Sequence, residues 1–281
     1  MNQTFARAFA PAALIGLLLA GCSGASSGLP TTSAVPDLTA ASPARRPADS
    51  VVWVTNFTDT TSYDLRSGKL LSTLTTGMQG PLSIVFDYNG NMYVGNQSGG
   101  IHSHGDIVEF APGGTSPTRT IASGVDDPFS LAVDDSNNIY CANQFSNSVT
   151  VYASTGTKPV RTITNGINYP VVAMIDPSSQ NLYVANTSVS GGKGSVTEYA
   201  PGGSSPIRTI TTGLNMPESL ALDRKGNLFV GNYFGKNVSE YAASSTTPSQ
   251  VFAKGIVPAA ITTDAKGNLY VAADGKKGVF E

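Results

Sequence analysis

Charged residues, cysteine and histidine are all scarce in this chain of 281 residues. Only 13% are charged, about half the share usual in soluble domains. The net charge of −2 argues against a protein that binds phosphates or nucleic acid, because such proteins carry a basic stripe. The two cysteines, Cys22 and Cys141, lack the spacing of a metal site. With only two histidines and no G-x-S-x-G, the chain has no Ser-His-acid set.

Residues 1–21 have the features of a signal peptide. Arg7 is their only charge, and residues 11–20 form an apolar run too short to span a bilayer. The segment ends in Leu19-Ala20-Gly21-Cys22, which resembles the lipobox of bacterial lipoproteins. The resemblance implies cleavage before Cys22, a diacylglycerol on its sulfur and acylation of its new amine. The alternative is an ordinary secretory signal followed by a chance cysteine.

Residues 22–50 comprise this cysteine and a stretch rich in Ser, Ala, Thr and Pro. The stretch has no apolar period, so we expect a flexible tether. Acyl chains on Cys22 would hold the protein on a membrane. We therefore expect it in the bacterial cell envelope, facing outside the cytoplasm. Ser23 after the cysteine indicates the outer membrane, where the organism has one.

A repeat fills residues 51–281. Each copy has a Pro-x-x-apolar-x-x-Asp segment, and the Asp-to-Asp steps are 47, 42, 47 and 41 residues. We expect each of these aspartates to cap a turn with Gly-Asn chemistry, which leads to a second apolar segment that ends in Asn in most copies. The first segments are Pro81–Asp87, Pro128–Asp134, Pro170–Asp176, Pro217–Asp223 and Pro258–Asp264. The second segments are Val52–Asn56, Met92–Asn96, Ile139–Asn143, Leu182–Asn186, Leu228–Asn232 and Leu269–Ala273.

A third strand follows in each copy and a fourth in all but the last, such as Ser62–Leu65 and Leu70–Leu74 in the first. Four strands per period of about 40–47 residues predict an all-β protein, a β-propeller with six four-stranded blades. The first copy lacks a visible innermost strand and the last lacks a fourth. We therefore expect incomplete terminal blades. Either the ring closes imperfectly, or residues around 40–50 supply a degenerate strand.

The pattern P-x-x-[LIVM]-x-x-D-x-x-G-N-[LMI]-[YF]-V-[AG]-N resembles the NHL-repeat and SMP-30/gluconolactonase-like six-bladed propellers. The resemblance covers residues 51–281. It implies a possible function as a metal-dependent hydrolase or lyase, of the SMP-30/gluconolactonase or streptogramin-lyase type, with a divalent cation such as Ca²⁺ in the channel. Those lactonases use Asn, Asp and Glu as ligands. An Asn in nearly every blade nevertheless favours a bond to loop backbone in every blade.

A binding site should break the repeat. The departures lie on the face that carries the loops after each second strand, here called the upper face, where we predict ligand binding. They are Asp126, Asp127, Gln144, Tyr169, Glu218, Tyr233 and Phe234. Glu218 is also a candidate metal ligand or base. Packing of the aromatic side chains among the loops is the structural alternative.

His102 and His104 share one side of an extended stretch and are candidate ligands of a transition metal, although two ligands are too few for most sites. Cys141 replaces a valine of the second strand and is predicted to be a buried, unreactive thiol. The symmetric repeat, the tether and the lack of a catalytic set favour a membrane-anchored binding or scaffolding module without a cofactor over an enzyme. Its ligand, a protein or a small molecule, stays open.

Overall fold

The computed structural model describes residues 51–64, 66–97, 104–188, 193–275 and 279–280. The predicted signal peptide, Cys22, the tether and His102 lie outside these ranges. The described residues form 22 strands in six antiparallel sheets, so the all-β prediction is confirmed. In these ranges no helix is long and apolar enough to cross a membrane.

The first sheet has three strands, and the next two have four each. The first contains β1 (Val51–Asn56), β2 (Asp59–Asp64) and β3 (Leu70–Leu74). The second contains β4 (Pro81–Phe86), β5 (Met92–Asn96), β6 (Asp106–Phe110) and β7 (Arg119–Ile121). The third contains β8 (Pro128–Val133), β9 (Ile139–Asn143), β10 (Ser148–Tyr152) and β11 (Arg161–Ile163).

The fourth and fifth sheets also have four strands, and the sixth has three. The fourth contains β12 (Pro170–Ile175), β13 (Leu182–Asn186), β14 (Ser195–Tyr199) and β15 (Pro206–Ile210). The fifth contains β16 (Pro217–Leu222), β17 (Leu228–Asn232), β18 (Asn237–Tyr241) and β19 (Gln250–Phe252). The sixth contains β20 (Pro258–Thr263), β21 (Leu269–Ala273) and β22 (Val279–Phe280).

The strands that begin at a repeat proline are the innermost strands of a β-propeller. β4 packs against β8, β8 against β12, β12 against β16 and β16 against β20. In the first sheet, β1 has the sequence of a second strand and packs against β4, as β5 packs against β8. The innermost strand of the first blade and the fourth strand of the last are therefore missing from the described residues, as the sequence predicted.

The predicted strand bounds hold with one main correction. The third strand of the first copy begins at Asp59 rather than at Ser62, because β1 and β2 pair as far as Asn56 and Asp59 around a tight turn. The fourth strand of that copy, Leu70–Leu74, is where the sequence placed it.

Buried side chains fill the spaces between sheets, since each sheet has two apolar faces. One cluster joins Val149 and Ile163 of the third sheet to Val184 of the fourth. The third strands of the third, fourth and fifth sheets end in tyrosines that are fully buried, and a buried hydroxyl must be paired to be stable. Tyr199 accordingly donates a 2.7 Å hydrogen bond to Asn165 O, in the loop that enters its own sheet. Tyr152 and Tyr241 donate in the same way to Ser123 O and Thr212 O.

Pairing of the first and second strands fixes the two faces of the propeller. In the fifth sheet Pro217 pairs with Asn232 at the upper end, and the Asp223 turn closes the hairpin at the opposite, lower end. Asp223 Oδ1 accepts hydrogen bonds from the backbone N–H groups of Lys225, at 2.8 Å, and Asn227, at 2.9 Å. The other repeat aspartates cap their turns in the same way, so the prediction of a turn-capping role is confirmed: Asp87, Asp134, Asp176 and Asp264.

Candidate functional site

The repeat asparagines fasten the loops of the upper face. In the fifth sheet Asn232 Oδ1 accepts a 3.0 Å hydrogen bond from Asn215 N, and its Nδ2 donates to Gly213 O at 3.4 Å. The next residue, Tyr233, donates its backbone N–H to Met216 O at 2.8 Å. The same side-chain contact recurs at Asn96, Asn143 and Asn186, all fully buried or nearly so. The structural interpretation of these asparagines is therefore confirmed.

Two glycines complete this fastening where the loop after the second strand is long. Gly105 and Gly194 have φ of +70° and +81°, values that favour glycine. A Cβ at Gly194 would lie 2.5 Å from Asn186 O, and one at Gly105 would collide with Asn96 O. Both long loops therefore return to the frame through a position that only glycine fits.

Glu218 is the acidic residue that departs from the repeat pattern of the innermost strands. It is the second residue of β16 and is half-buried. The same position holds Leu82, Phe129, Val171 and Ala259 in the other innermost strands. Burial and the negative charge of Asp274 raise the pKa of Glu218 to about 7. The Glu218 carboxyl therefore keeps its proton to a higher pH than an ordinary glutamate does.

Asp274 belongs to the same site, although the sequence did not point to it. The Tyr233 hydroxyl donates a 2.8 Å hydrogen bond to Asp274 Oδ2. That bond, burial and the charges of Asp274 and Glu218 raise the pKa of Tyr233. The rings of Tyr233 and Phe234 meet edge to face with centroids 5.6 Å apart, and Phe234 is 54% exposed. Two carboxyl groups and two aromatic rings thus form one cluster, here called the 218/274 cluster.

Asp127 is the centre of a second group. Its side chain is buried, its φ is +58°, and its carbonyl accepts a 3.1 Å hydrogen bond from Gln144 N. Burial and the charge of Asp126 raise the pKa of Asp127 to about 6, while a hydrogen bond from the Gln97 side chain acts in the opposite direction.

Tyr169 and Phe145 lie beside Asp127. Burial and the charge of Asp127 raise the pKa of the Tyr169 hydroxyl. The rings of Tyr169 and Phe145 have centroids 6.1 Å apart. The seven predicted site residues therefore fall into two groups. Glu218, Tyr233 and Phe234 lie in one, and Asp126, Asp127, Gln144 and Tyr169 lie in the other.

His104 contacts Asp126, with 3.3 Å between His104 Nδ1 and Asp126 Oδ1. The pair borders a cavity of about 650 Å³ between the second and third sheets, which Ser146, Ser148 and Thr150 also line. His102 lies outside the described residues, so joint metal binding by the two histidines stays a prediction. Over the described ranges no group of three or more His, Cys, Asp or Glu side chains could hold a metal ion.

Known structures share this fold. Over 82% of this chain and 91% of the other, it is similar to Kuenenia stuttgartiensis hydrazine synthase, with a TM-score of 0.58 and 14% identity. Over 80% of this chain and 71% of the other, it is similar to the structure of U3-55K, with a TM-score of 0.66 and 12% identity. At such low sequence identities, the similarity shows the fold and nothing more. No family model matches the chain, and no curated protein matches its sequence.

Proposed function

We propose that this protein is a binding or scaffolding module of the bacterial cell envelope, facing outside the cytoplasm, whose ligand docks at the 218/274 cluster. The observation that carries the proposal is the Tyr233–Asp274 hydrogen bond beside Glu218. It joins side chains from two neighbouring sheets at the place where an acid breaks the innermost-strand repeat. A rigid frame that carries variable loops is the usual way to build a binding site.

The chemistry of the cluster favours a ligand with both polar and apolar parts. Phe234 offers an exposed ring, and Tyr233 holds that ring edge to face. Because its pKa is raised towards neutral pH, the Glu218 carboxyl can either donate or accept a hydrogen bond. Asp274 supplies a charged acceptor beside it. A protein segment or a small molecule with hydroxyl or amide groups satisfies all three.

The location of the protein in the cell is part of the same proposal. The lipobox-like segment that ends at Cys22 supports cleavage and acylation there, and residues 23–50 serve as the tether. The repeat pattern supports kinship with the NHL-repeat and SMP-30/gluconolactonase-like propellers. On this proposal the lipid on Cys22 holds the propeller at the membrane, outside the cytoplasm, and leaves the upper face free to bind.

Site-specific photo-crosslinking in cells tests the binding proposal. A photoreactive phenylalanine analogue at Phe234 should give a discrete adduct. The adduct should be lost when Tyr233→Phe or Asp274→Asn is added. Ile207, which is 59% exposed on the fourth sheet, is the matched control position and should give none. No adduct at 234, or equal adducts at 234 and 207, would refute binding at the 218/274 cluster.

One observation favours the second candidate, a hydrolase or lyase that depends on a divalent metal. Glu218 and Asp274 repel each other electrostatically, and a bound Ca²⁺ would neutralise both carboxylates. Calorimetric titration with Ca²⁺ tests this candidate directly. A saturable heat that is absent in Glu218→Gln would support the metal site, whereas no heat with Ca²⁺, Mg²⁺ or Zn²⁺ would count against it.

A further inference from the structure

A ladder of Tyr, Glu and Arg crosses the outer strands of the second sheet near the lower face. Tyr93 pairs with Glu109, and Glu109 pairs with Arg119, in register on adjacent strands. Arg119 Nε lies 2.6 Å from Glu109 Oε2, an ion pair whose N–H is not aligned for a hydrogen bond. The Arg119 guanidinium also lies 5.9 Å from the centre of the Tyr93 ring. The glutamate therefore neutralises an arginine held against an aromatic face.

The fourth sheet repeats this ladder. Tyr183 pairs with Glu198, and Glu198 pairs with Arg208. Arg208 Nε donates a 2.6 Å hydrogen bond to Glu198 Oε2, and the guanidinium carbon lies 5.7 Å from the centre of the Tyr183 ring. Two sheets of the same molecule thus place a carboxylate at the same point between a tyrosine and an arginine.

The third sheet keeps the tyrosine and the arginine but lacks the acid. Val151 stands in the register position of the glutamate, between Tyr140 and Arg161. Arg161 still lies 5.9 Å from the centre of the Tyr140 ring, so its position is preserved. The valine ends short of the point that a glutamate carboxylate reaches, and that point is left without a side-chain anion.

Arg161 consequently has fewer partners than its two counterparts. Its Nε is buried and donates to no acceptor, and the one side-chain hydrogen bond that it makes within the described residues runs from Nη2 to the Tyr140 hydroxyl, at 3.4 Å. By contrast, Arg119 donates to Ser154 O and Gly156 O in the next sheet. Among the described residues, no carboxylate lies within ion-pair distance of Arg161, so its buried Nε–H is a donor without a partner there.

A cavity of about 340 Å³ opens beside this guanidinium, between the third and fourth sheets. Its lining combines Arg161 with the apolar side chains of Val151 and Val160, with polar groups such as Asn138 and Gln180, and with the carboxylates of Asp134 and Asp135. A ligand here would meet the guanidinium and an apolar wall together, beside two acids that already accept hydrogen bonds within the protein.

We propose that this cavity binds a small carboxylic acid, whose carboxylate pairs with Arg161 in the place that glutamate occupies in the sister sheets. Its short apolar tail lies against Val151 and Val160. The cavity lies at the lower ends of its strands, so the site is separate from the 218/274 cluster. In the third sheet, a bound carboxylate would complete the Tyr-Glu-Arg ladder that the second and fourth sheets form with their own side chains.

Asp134 and Asp135, the two acids that line the cavity, do not prevent this, and the Asp135 carboxylate already accepts a hydrogen bond from the Tyr88 hydroxyl. In the second sheet the Tyr93 hydroxyl bonds both Asp87 Oδ2, at 3.3 Å, and Glu109 Oε1, at 3.2 Å. One tyrosine and one arginine thus tolerate two carboxylates there. Asp134 corresponds to Asp87, and its oxygens already accept hydrogen bonds from its own turn and from Tyr140. The third sheet therefore has the counterpart of Asp87 but lacks the counterpart of Glu109.

Calorimetric titration of the full-length, detergent-solubilised protein with sodium propionate, at constant ionic strength, tests the proposal. We expect one saturable site with a Kd on the order of 1 mM, near the limit for so small a ligand. Arg161→Gln should weaken binding about tenfold or more, since it removes a charge-assisted pair. Arg119→Gln is the matched control, because Glu109 already fills that position, and it should bind propionate as the wild type does.

Val151→Glu provides a test that does not depend on the arginine variant being stable. The new glutamate should pair with Arg161 as Glu109 does with Arg119, so the variant should unfold at the same temperature as the wild type or higher. It should also lose propionate binding, because its own carboxylate fills the site. The proposal is wrong if the wild type gives no saturable heat, or if Val151→Glu or Arg161→Gln binds propionate as tightly as the wild type.

Discussion

The Tyr233 hydroxyl and Asp274 Oδ2 are 2.8 Å apart and join the fifth and sixth sheets at the upper face. The two residues hold equivalent places in the repeat. Each follows the last residue of a second strand, and each donates its backbone N–H to the residue before a repeat proline, Met216 O or Val257 O. A contact between equivalent positions of neighbouring blades therefore builds the 218/274 cluster.

Glu218 should make stability depend on pH. The folded protein holds the Glu218 proton up to about pH 7, whereas the ordinary value is 4.5. Between these values the unfolded chain binds fewer protons, so stability should fall as pH rises. In Glu218→Gln, the free energy of unfolding should fall by roughly 1–3 kcal/mol less over this pH range than in the wild type. Urea unfolding at pH 4.5 and pH 8 measures the difference.

A second buried acid supplies the control for this measurement. Asp127, with a pKa of about 6 against an ordinary 3.8, should produce a loss of the same sign that ends at lower pH. That part should persist in Glu218→Gln and shrink in Asp127→Asn. Identical pH profiles for Glu218→Gln and the wild type would contradict the raised pKa of Glu218.

Asn143→Ala should destabilise the protein by about 2–4 kcal/mol, because it leaves buried groups unpaired. Asn143 is fully buried. Its Oδ1 accepts from Asp126 N at 2.9 Å, and its Nδ2 donates to Thr150 Oγ1 at 2.9 Å. Chemical denaturation measures the change. Asn89→Ala, at an exposed turn position, is the control and should stay within about 0.5 kcal/mol of the wild type.

Cys22→Ala should abolish lipid attachment and release the protein from the membrane. Metabolic labelling with a fatty acid and fractionation of membranes measure both effects. Cys141→Ala is the matched control and should keep the label, because the Cys141 side chain is completely buried and burial raises the pKa of its thiol. Retention of label and membrane binding in Cys22→Ala would show that the lipobox interpretation is wrong.

Deletion of residues 170–216, one whole copy of the repeat, should prevent soluble expression. The fourth sheet packs through β12 against β8 on one side and β16 on the other. Without it, the flanking sheets would have to meet at an angle that the ring does not provide. Expression level and the cooperativity of unfolding are the measurements. A soluble deletion variant with a single sharp transition would indicate an open array, in which each repeat contacts only its neighbours.

The repeat was visible in the sequence because each copy carries its own turn chemistry and its own apolar alternation. Local rules therefore placed the strands and gave correct roles to the asparagines and the aspartates. The bounds failed only in the first copy, where β2 begins early because a tight turn lets Asn56 pair with Asp59.

The site was harder to predict, because its members meet through the packing of separate sheets. The sequence did not identify Asp274 as a site residue, because the final copy has Ala273 in place of the asparagine that precedes this position in the other copies. The Tyr-Glu-Arg ladder depends on the register of three strands, which periodicity alone does not give. The division of the upper-face residues into two groups likewise follows from the ring geometry. The fate of Cys22 and His102 stays a prediction.

The fastening by asparagine has a consequence for how such a protein diversifies. In the second to fifth sheets, the loop after the second strand begins at an asparagine whose side chain is hydrogen-bonded to the backbone, so the start of the loop stays fixed whatever its length. Lengthening a loop then costs only a closure entropy that grows with the logarithm of its length. Insertions after Asn96 or Asn186 can accumulate one blade at a time, and new recognition can arise without the ring itself having to adapt.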